Sequence, residues 1–235
     1  MTKALYLEDC YLREFEAVVE KVDGKYVILD QTAFYPESGG EPTDTGVLIR
    51  DGETFNVKFV KKAGPDILHE VDKEGLKSGD KVKGILDWDR RHILMRYHTA
   101  AHVLSTVVHK ETGCVITGNQ LNIDKGRIDF DLEQFDREKL AEYARRANEI
   151  IKKQIPVHIR FLPREEAFKI PSLVRITKML PESIKIIRIV DIEGFNQQAC
   201  AGTHVKNIGE IGAIEIIKAD NKGANNRRVY FVLKE

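Results

Sequence analysis

The order of apolar and polar positions gives the two parts of the chain different periods. In the first ninety residues the alternation is that of short strands. Glu16–Val22 and Lys25–Asp30 flank an Asp23-Gly24 turn, and Gly46–Arg50 and Thr54–Val60 flank Asp51-Gly52. A period of two interrupted by Asp-Gly marks a hairpin, because the tight turn needs positive φ while each strand keeps one face inward. Lys81–Asp87 adds another alternating strand, and such strands spaced by Gly, Asp and Pro predict a small barrel or compact sandwich. From Arg90 to about Thr112 the period lengthens. Leu94, Tyr97, Ala101, Leu104 and Val108 recur every three or four residues, predicting a helix that Gly113 ends. Strands follow over 115–123 and 126–132. A second helix runs from Arg137 to about Gln154, with Leu140, Tyr143, Ala147, Ile150 and Ile151 on one face and Pro156 as its stop. Further strands are predicted over 157–161, 184–190, 211–218 and 228–233, with short helical or irregular pieces around 164–182. The expected class is α+β: a small β-barrel-like N-terminal domain over 1–88, then a two-layer α/β domain over 89–235.

Composition narrows the class. No apolar run approaches the roughly 18 residues that span a bilayer. The opening MTKALYLEDCYLREFE is too acidic and too poor in apolar residues for a secretory signal. Three cysteines, Cys10, Cys114 and Cys200, make no disulfide framework, so the expected compartment is a reducing cytoplasm. The formal net charge of zero conceals an asymmetry: residues 1–90 carry 13 Lys/Arg against 19 Asp/Glu, and the remainder 24 against 18. An acidic half joined to a basic half raises the prospect of a polyanionic partner.

The chemistry concentrates in two motifs. His98-Thr-Ala-Ala-His102 lies on the first predicted helix, where residues four apart share a face and both imidazoles can converge on one point. Cys200-Ala-Gly-Thr-His204 repeats the spacing about a hundred residues later, with Gly202 suggesting a turn. Three imidazoles and a thiolate match zinc in ligand type and number. His69, His92, His109 and His158 are read as ordinary. Thr99 stands where an H-E-x-x-H protease carries its Glu, which argues against that mechanism. Four protein ligands would close a tetrahedron, the usual structural arrangement, whereas a catalytic ion keeps a position open. Both roles stay open at this point.

These motifs carry a resemblance. His-x-x-x-His followed far downstream by Cys-x-Gly-Thr-His is similar to the editing domain of alanyl-tRNA synthetases. Phe34-Tyr35-Pro36 running into Gly39-Gly40-Glu41-Pro42, then Asp44 and Gly46, resembles the glycine-rich motif ahead of that domain. The same order occurs in the AlaX family of free-standing alanyl-tRNA deacylases, and the likeness spans approximately residues 5–233, with the length of the medium form. The threonyl-tRNA synthetase editing domain shares the metal pattern without the glycine-rich segment. Ser38, Glu41 and Ala201 depart from the motifs, and none is a candidate ligand.

The resemblance implies that 89–235 is the editing domain and that His98, His102, Cys200 and His204 hold one zinc per chain. It implies hydrolysis of the ester joining a wrong amino acid, serine first and glycine second, to the 3′-adenosine of alanine tRNA. No membrane and no nucleotide cofactor enter. Thr117 and Gln120 are the candidate catalytic pair, Thr117 for the serine hydroxyl and Gln120 for ordering water, since a site built to bond a hydroxyl rejects an analogue lacking it. Gly39 and Gly40 are candidates for close backbone approach to substrate, or simply for a tight turn. Arg227 and Arg228 are candidate phosphate contacts, with Arg145, Arg146, Lys152, Lys153, Lys218 and Lys222 behind them. A nucleic-acid-binding module with a structural zinc, and an editor of serine-charged threonine tRNA, are the alternatives.

Overall fold

A computed structural model describes residues 1–132, 137–171, 173, 180–223 and 225–235. Two compact units emerge, Met1–Met95 and Arg96–Glu235.

The first unit is organised by its hairpins. β1 (Lys3–Ala4) pairs in parallel with β4 (Gln31–Thr32) as a short strap. Between and after them come β2 (Glu14–Asp23), β3 (Tyr26–Leu29), β5 (Gly46–Arg50), β6 (Glu53–Ala63), β7 (Asp66–Val71) and β8 (Lys81–Leu86). These last six close into an antiparallel barrel in the order β2-β3-β7-β6-β5-β8. Closure gives every strand two neighbours and leaves no bare edge. The alternation seen in the sequence supplies the interior, where Phe15, Val19, Val27, Leu29, Leu48, Phe55 and Val57 are buried together with Phe34. Gly46 has a packing reason, since a Cβ there would lie 2.2 Å from the Ile85 carbonyl oxygen and 2.8 Å from the Phe34 ring.

β7 is absent from the pattern-based expectation, and the structure adds it. Its inward positions are Ile67, His69 and Val71, so a histidine stands where the alternation wants an apolar residue. His69 is fully buried, and its polar atoms are matched. Nε2 lies 2.8 Å from Thr32 Oγ1, and Nδ1 lies 3.2 Å from the Val27 carbonyl oxygen.

The second unit begins within α1 (Trp88–Thr112), which runs across the boundary between the two units. Its predicted apolar stripe proves too narrow: every residue from 97 to 108 is buried. Two polar members of that stretch are paired locally, Ser105 and Thr106 both donating to the His102 carbonyl at 3.1 and 2.7 Å.

β9 (Ile116–Leu121), β10 (Gly126–Phe130), β14 (Ala213–Asn221) and β15 (Arg227–Lys234) form a sheet in the order β14-β15-β10-β9. Tyr97 of α1 meets Phe231 of β15 with ring centroids 5.7 Å apart. α2 (Arg137–Ile151) packs along β14, where the Asn148 amide accepts from Ile214 N–H at 2.8 Å and donates to Ile214 O at 2.9 Å. The helix ends at Ile151, three residues before the expected end near Gln154, and Gln154 takes φ +51° beyond it.

β11 (Val157–Pro163), β12 (Ile186–Ile192) and β13 (Asn196–Ala199) form a second, three-stranded antiparallel sheet. α3 (Arg164–Ala167) joins it through a small core of Ala167, Leu173, Ile187 and Ile189. Of the irregular region expected around 164–182, residues 172 and 174–179 lie outside the described residues. The α+β class holds, with a barrel followed by an α/β unit. Among the described residues no helix is long and apolar enough to cross a membrane.

Candidate metal centre

One helical turn of α1 sets His98 and His102 side by side, their ring centroids 5.2 Å apart. The segment after β13 brings Cys200 and His204 to the same place. His204 lies 4.3 Å from the His98 ring and 4.6 Å from the His102 ring, centroid to centroid. Cys200 Sγ is 3.5 Å from His98 Nε2 and 3.4 Å from His204 Nε2. One ligand atom from each residue falls within 4.8 Å of the other three, and all three histidines are buried. Such a cluster can hold a metal ion. Zinc bonds of about 2.0–2.3 Å in a tetrahedron place ligand atoms about 3.3–3.8 Å apart. The two distances at Cys200 lie in that interval. His102 Nδ1 adds a buried ring nitrogen without a hydrogen-bond partner among the described residues, and a buried orphan of this kind calls for an explanation.

Burial and neighbouring charge shift two members of the cluster. Burial works to raise the Cys200 thiol, but the His98 and His204 imidazoles outweigh it. Hydrogen bonds from His102 and His204 add to them, and the thiol is held well below its usual value. Burial, reinforced by His98, pushes His204 well below the ordinary imidazole range. A metal ion takes cysteine as thiolate and histidine as neutral imidazole.

Three further groups fix the geometry, and none was singled out as a functional residue in the sequence. Gly202 N–H donates to Cys200 Sγ at 3.4 Å. Arg188 of β12 is buried and donates from Nη1 to the Cys200 carbonyl at 2.6 Å, while Cys200 N–H donates back to Arg188 O at 3.2 Å. Thr99 Oγ1 lies 3.1 Å from His204 Nδ1 and accepts from Val205 N–H at 3.2 Å. No local signal betrays Arg188. Thr99 was visible only as the missing protease Glu.

The other predicted residues are placed as follows. Thr117 and Gln120 are exposed on β9. Thr117 is the extra residue of a β-bulge, between the pairs Gly118↔Asp129 and Ile116↔Phe130, a device that re-aims side chains. Gly39 and Gly40 belong to the first unit and form a two-residue turn with φ +59° and +81°. Ser38 and Glu41 close it with paired backbone hydrogen bonds of 3.1 and 2.9 Å.

Six of the eight basic candidates have acidic or carbonyl partners. Arg227 is buried and donates to Asn221 Oδ1 and Gly223 O, each at 2.6 Å, bracing the loop that joins β14 to β15. Arg228 grips Asp129 with two bonds of 2.8 and 2.9 Å, which raises its pKa further. Arg145 pairs with Glu142 and Glu149, Arg146 with Glu142 and Glu111, and Lys218 and Lys222 with Asp220. A separate groove of about 1190 Å³ opens between α2 and β14, lined by Ala141, Ala144, Asn148 and Ile216 among others and by none of the four clustered residues.

Residues 4–90 match the family described as tRNA synthetases class II (A). Residues 187–230, which hold Cys200 and His204, match the threonyl and alanyl tRNA synthetase second additional domain. The chain is 55% identical over 241 residues to the alanyl-tRNA editing protein AlaX-M of Methanosarcina barkeri (strain Fusaro / DSM 804), covering 99% of each. It is 46% identical over 237 residues to the AlaX-M protein of Saccharolobus solfataricus, covering the whole of each. An alanine--tRNA ligase of Pyrococcus abyssi is 40% identical over 238 residues, and there the entire chain corresponds to 26% of the ligase. With near-complete mutual coverage at this level of identity, the chain belongs to the alanyl-tRNA editing protein AlaX-M family.

Proposed function

We propose that this protein is a zinc-dependent trans-editing hydrolase that removes a wrong amino acid, serine first and glycine second, from alanine tRNA. The observation that carries the reading is the buried gathering of His98, His102, Cys200 and His204 in a chain that matches alanyl-tRNA editing proteins end to end. These four would hold one zinc per chain. When bound, the ion supplies Lewis-acid polarisation.

The chain's own residues supply the rest. Arg188 and the Gly202 amide keep the Cys200 sulfur and its backbone in place. Thr117, at its bulge, is the residue proposed to bond the serine hydroxyl, and Gln120 the one proposed to order the attacking water. An aminoacyl ester is already activated, so positioning and oxyanion stabilisation suffice. The hydroxyl favours serine over alanine, a preference worth ~10⁴-fold or more in a site built to bond one.

For the tRNA backbone, Arg228 at the loop end of the β14–β15 hairpin is the proposed phosphate contact. Arg227 shapes the loop beside it. Gly39 and Gly40 are proposed to let the backbone of the first unit come close to the nucleic acid, that unit being the proposed tRNA-orienting domain over 1–88.

The test is release of serine from serine-charged alanine tRNA by zinc-loaded protein, with alanine-charged tRNA as internal control. Fast serine release with alanine spared is the expected result. A second reading has one observation in its favour: four protein ligands fill a tetrahedron, as in structural sites. Stoichiometric zinc and tRNA binding without release from either substrate would establish that non-catalytic module. Preferential release from serine-charged threonine tRNA would move the substrate.

A further inference from the structure

We propose that Thr99 is a positioning residue of the metal centre, its hydroxyl selecting the tautomer and ring plane in which His204 presents Nε2 as a ligand. Val205 N–H only donates, so Thr99 Oγ1 is the acceptor across their 3.2 Å contact. His204 Nε2 faces the cluster, 3.4 Å from Cys200 Sγ. A ligating nitrogen offers a lone pair, so the single proton of the neutral ring belongs on Nδ1. Nδ1 lies 3.1 Å from Thr99 Oγ1, and its N–H finds there the remaining lone pair of the hydroxyl.

One oxygen therefore fixes the ring and the backbone that follows it. Thr99 is fully buried, which removes bulk water as a substitute acceptor. It sits on α1 between His98 and His102, so the element that supplies two ligands also orients a third from the distant Cys200–His204 motif. Partners of this sort, hydrogen-bonded to the far nitrogen of a metal-ligating histidine, typically contribute 10- to 100-fold in metal affinity. Valine is isosteric with threonine but can accept neither bond. Serine retains both.

The inference rests on the metal reading of the proposed function, and the experiment separates the two. Metal-stripped full-length protein is titrated with Co(II), reading stoichiometry, affinity and the visible d–d and thiolate charge-transfer bands for wild type, Thr99→Val and Thr99→Ser. Wild type is expected to take one equivalent. Thr99→Val should bind about 10- to 100-fold more weakly with shifted d–d bands, and Thr99→Ser should stay within about threefold of wild type. Thr99→Val binding like wild type, or Thr99→Ser binding as weakly as Thr99→Val, overturns the inference alone. A wild-type protein that takes up no Co(II) overturns the metal reading and the inference together. Should far-UV circular dichroism show Thr99→Val unfolded, Thr99→Ala removes the same hydroxyl and carries the comparison.

Discussion

Asp44 and Arg91 form an ion pair closed off from solvent, with side chains 2% and 0% exposed. Arg91 Nε lies 3.0 Å from both Asp44 carboxylate oxygens, and the rest of the guanidinium donates to the Cys10 and Ala33 carbonyls at 3.0 and 2.6 Å. Asp44 also accepts from Tyr35 N–H at 2.6 Å. The pair thus ties the glycine-rich segment, Ala33 ahead of it and Cys10 to the first turn of α1, all within the first unit. Removing one partner strands a buried charge, at a cost of about 3–5 kcal/mol. Arg91→Met and Asp44→Leu are each expected to lose that much in urea unfolding. The double variant should recover much of it. The sole tryptophan, Trp88, stacks on His92 in the same unit and supplies the fluorescence signal.

His69 should give the first unit a pH dependence of definite sign. Burial lowers its pKa to about 4 from 6.5, and the hydrogen bond to Val27 only partly opposes this. Between those values the unfolded chain holds the proton and the folded one does not, so stability rises with pH. The contribution is fully present above pH 6.5 and is lost as pH falls toward 4, amounting to about 3 kcal/mol in all. In urea titrations from pH 7 to pH 4.5, His69→Gln is expected to flatten the slope by close to one proton. An unchanged slope would show that His69 takes no part.

Loss of any of the four cluster residues should be seen first in metal content. Cys200→Ser and His102→Ala are each expected to purify with well under one equivalent of zinc and to release serine from mischarged alanine tRNA far more slowly. Chelator-treated wild type should behave the same way and also unfold at a lower temperature, because an ion that binds only the folded state stabilises it by mass action. Full zinc occupancy in both variants would refute the ligand assignment.

Thr117 is expected to govern which amino acid is removed. Thr117→Val deletes one neutral hydrogen bond, about 1.4 kcal/mol, and should lower kcat/KM for the serine-charged tRNA about tenfold. Glycine-charged tRNA has no hydroxyl to lose and should be hydrolysed as before. Equal losses on both substrates would assign Thr117 to shape rather than recognition.

Replacing Arg228 by alanine should weaken tRNA binding and reduce the slope of log affinity against log salt by close to one contact. It also strands Asp129, so Arg228→Ala/Asp129→Ala is the control for stability. An unchanged salt slope in the double variant removes Arg228 from the interface.

The parts of this molecule that were legible beforehand are those in which chain spacing and spatial proximity coincide. His98 and His102 are one helical turn apart, and Cys200 and His204 lie within a short turn, so residue type and spacing sufficed. The Asp23-Gly24 and Asp51-Gly52 hairpins were legible for the same reason. β7 was hidden because His69 interrupts an apolar alternation, and what satisfies that histidine, Thr32 and Val27, is remote in sequence. Arg188 and Thr99 were hidden because their work is done through a carbonyl and a ring nitrogen far along the chain. The arginines looked like free surface charge; only the structure shows Asp129 under Arg228 and the hairpin loop around Arg227.

The amide of Asn148 has a consequence for behaviour in concentrated solution. β14 lies at the margin of its sheet, and a strand margin with bare amides is a template on which a neighbouring molecule can polymerise. Asn148 occupies the Ile214 amide and carbonyl as a second strand would. A few residues on, Ile217 bulges out of register and Lys218 follows it. Sheet growth from molecule to molecule is therefore obstructed twice along one strand, and the protein can accumulate without seeding its own aggregation along that margin.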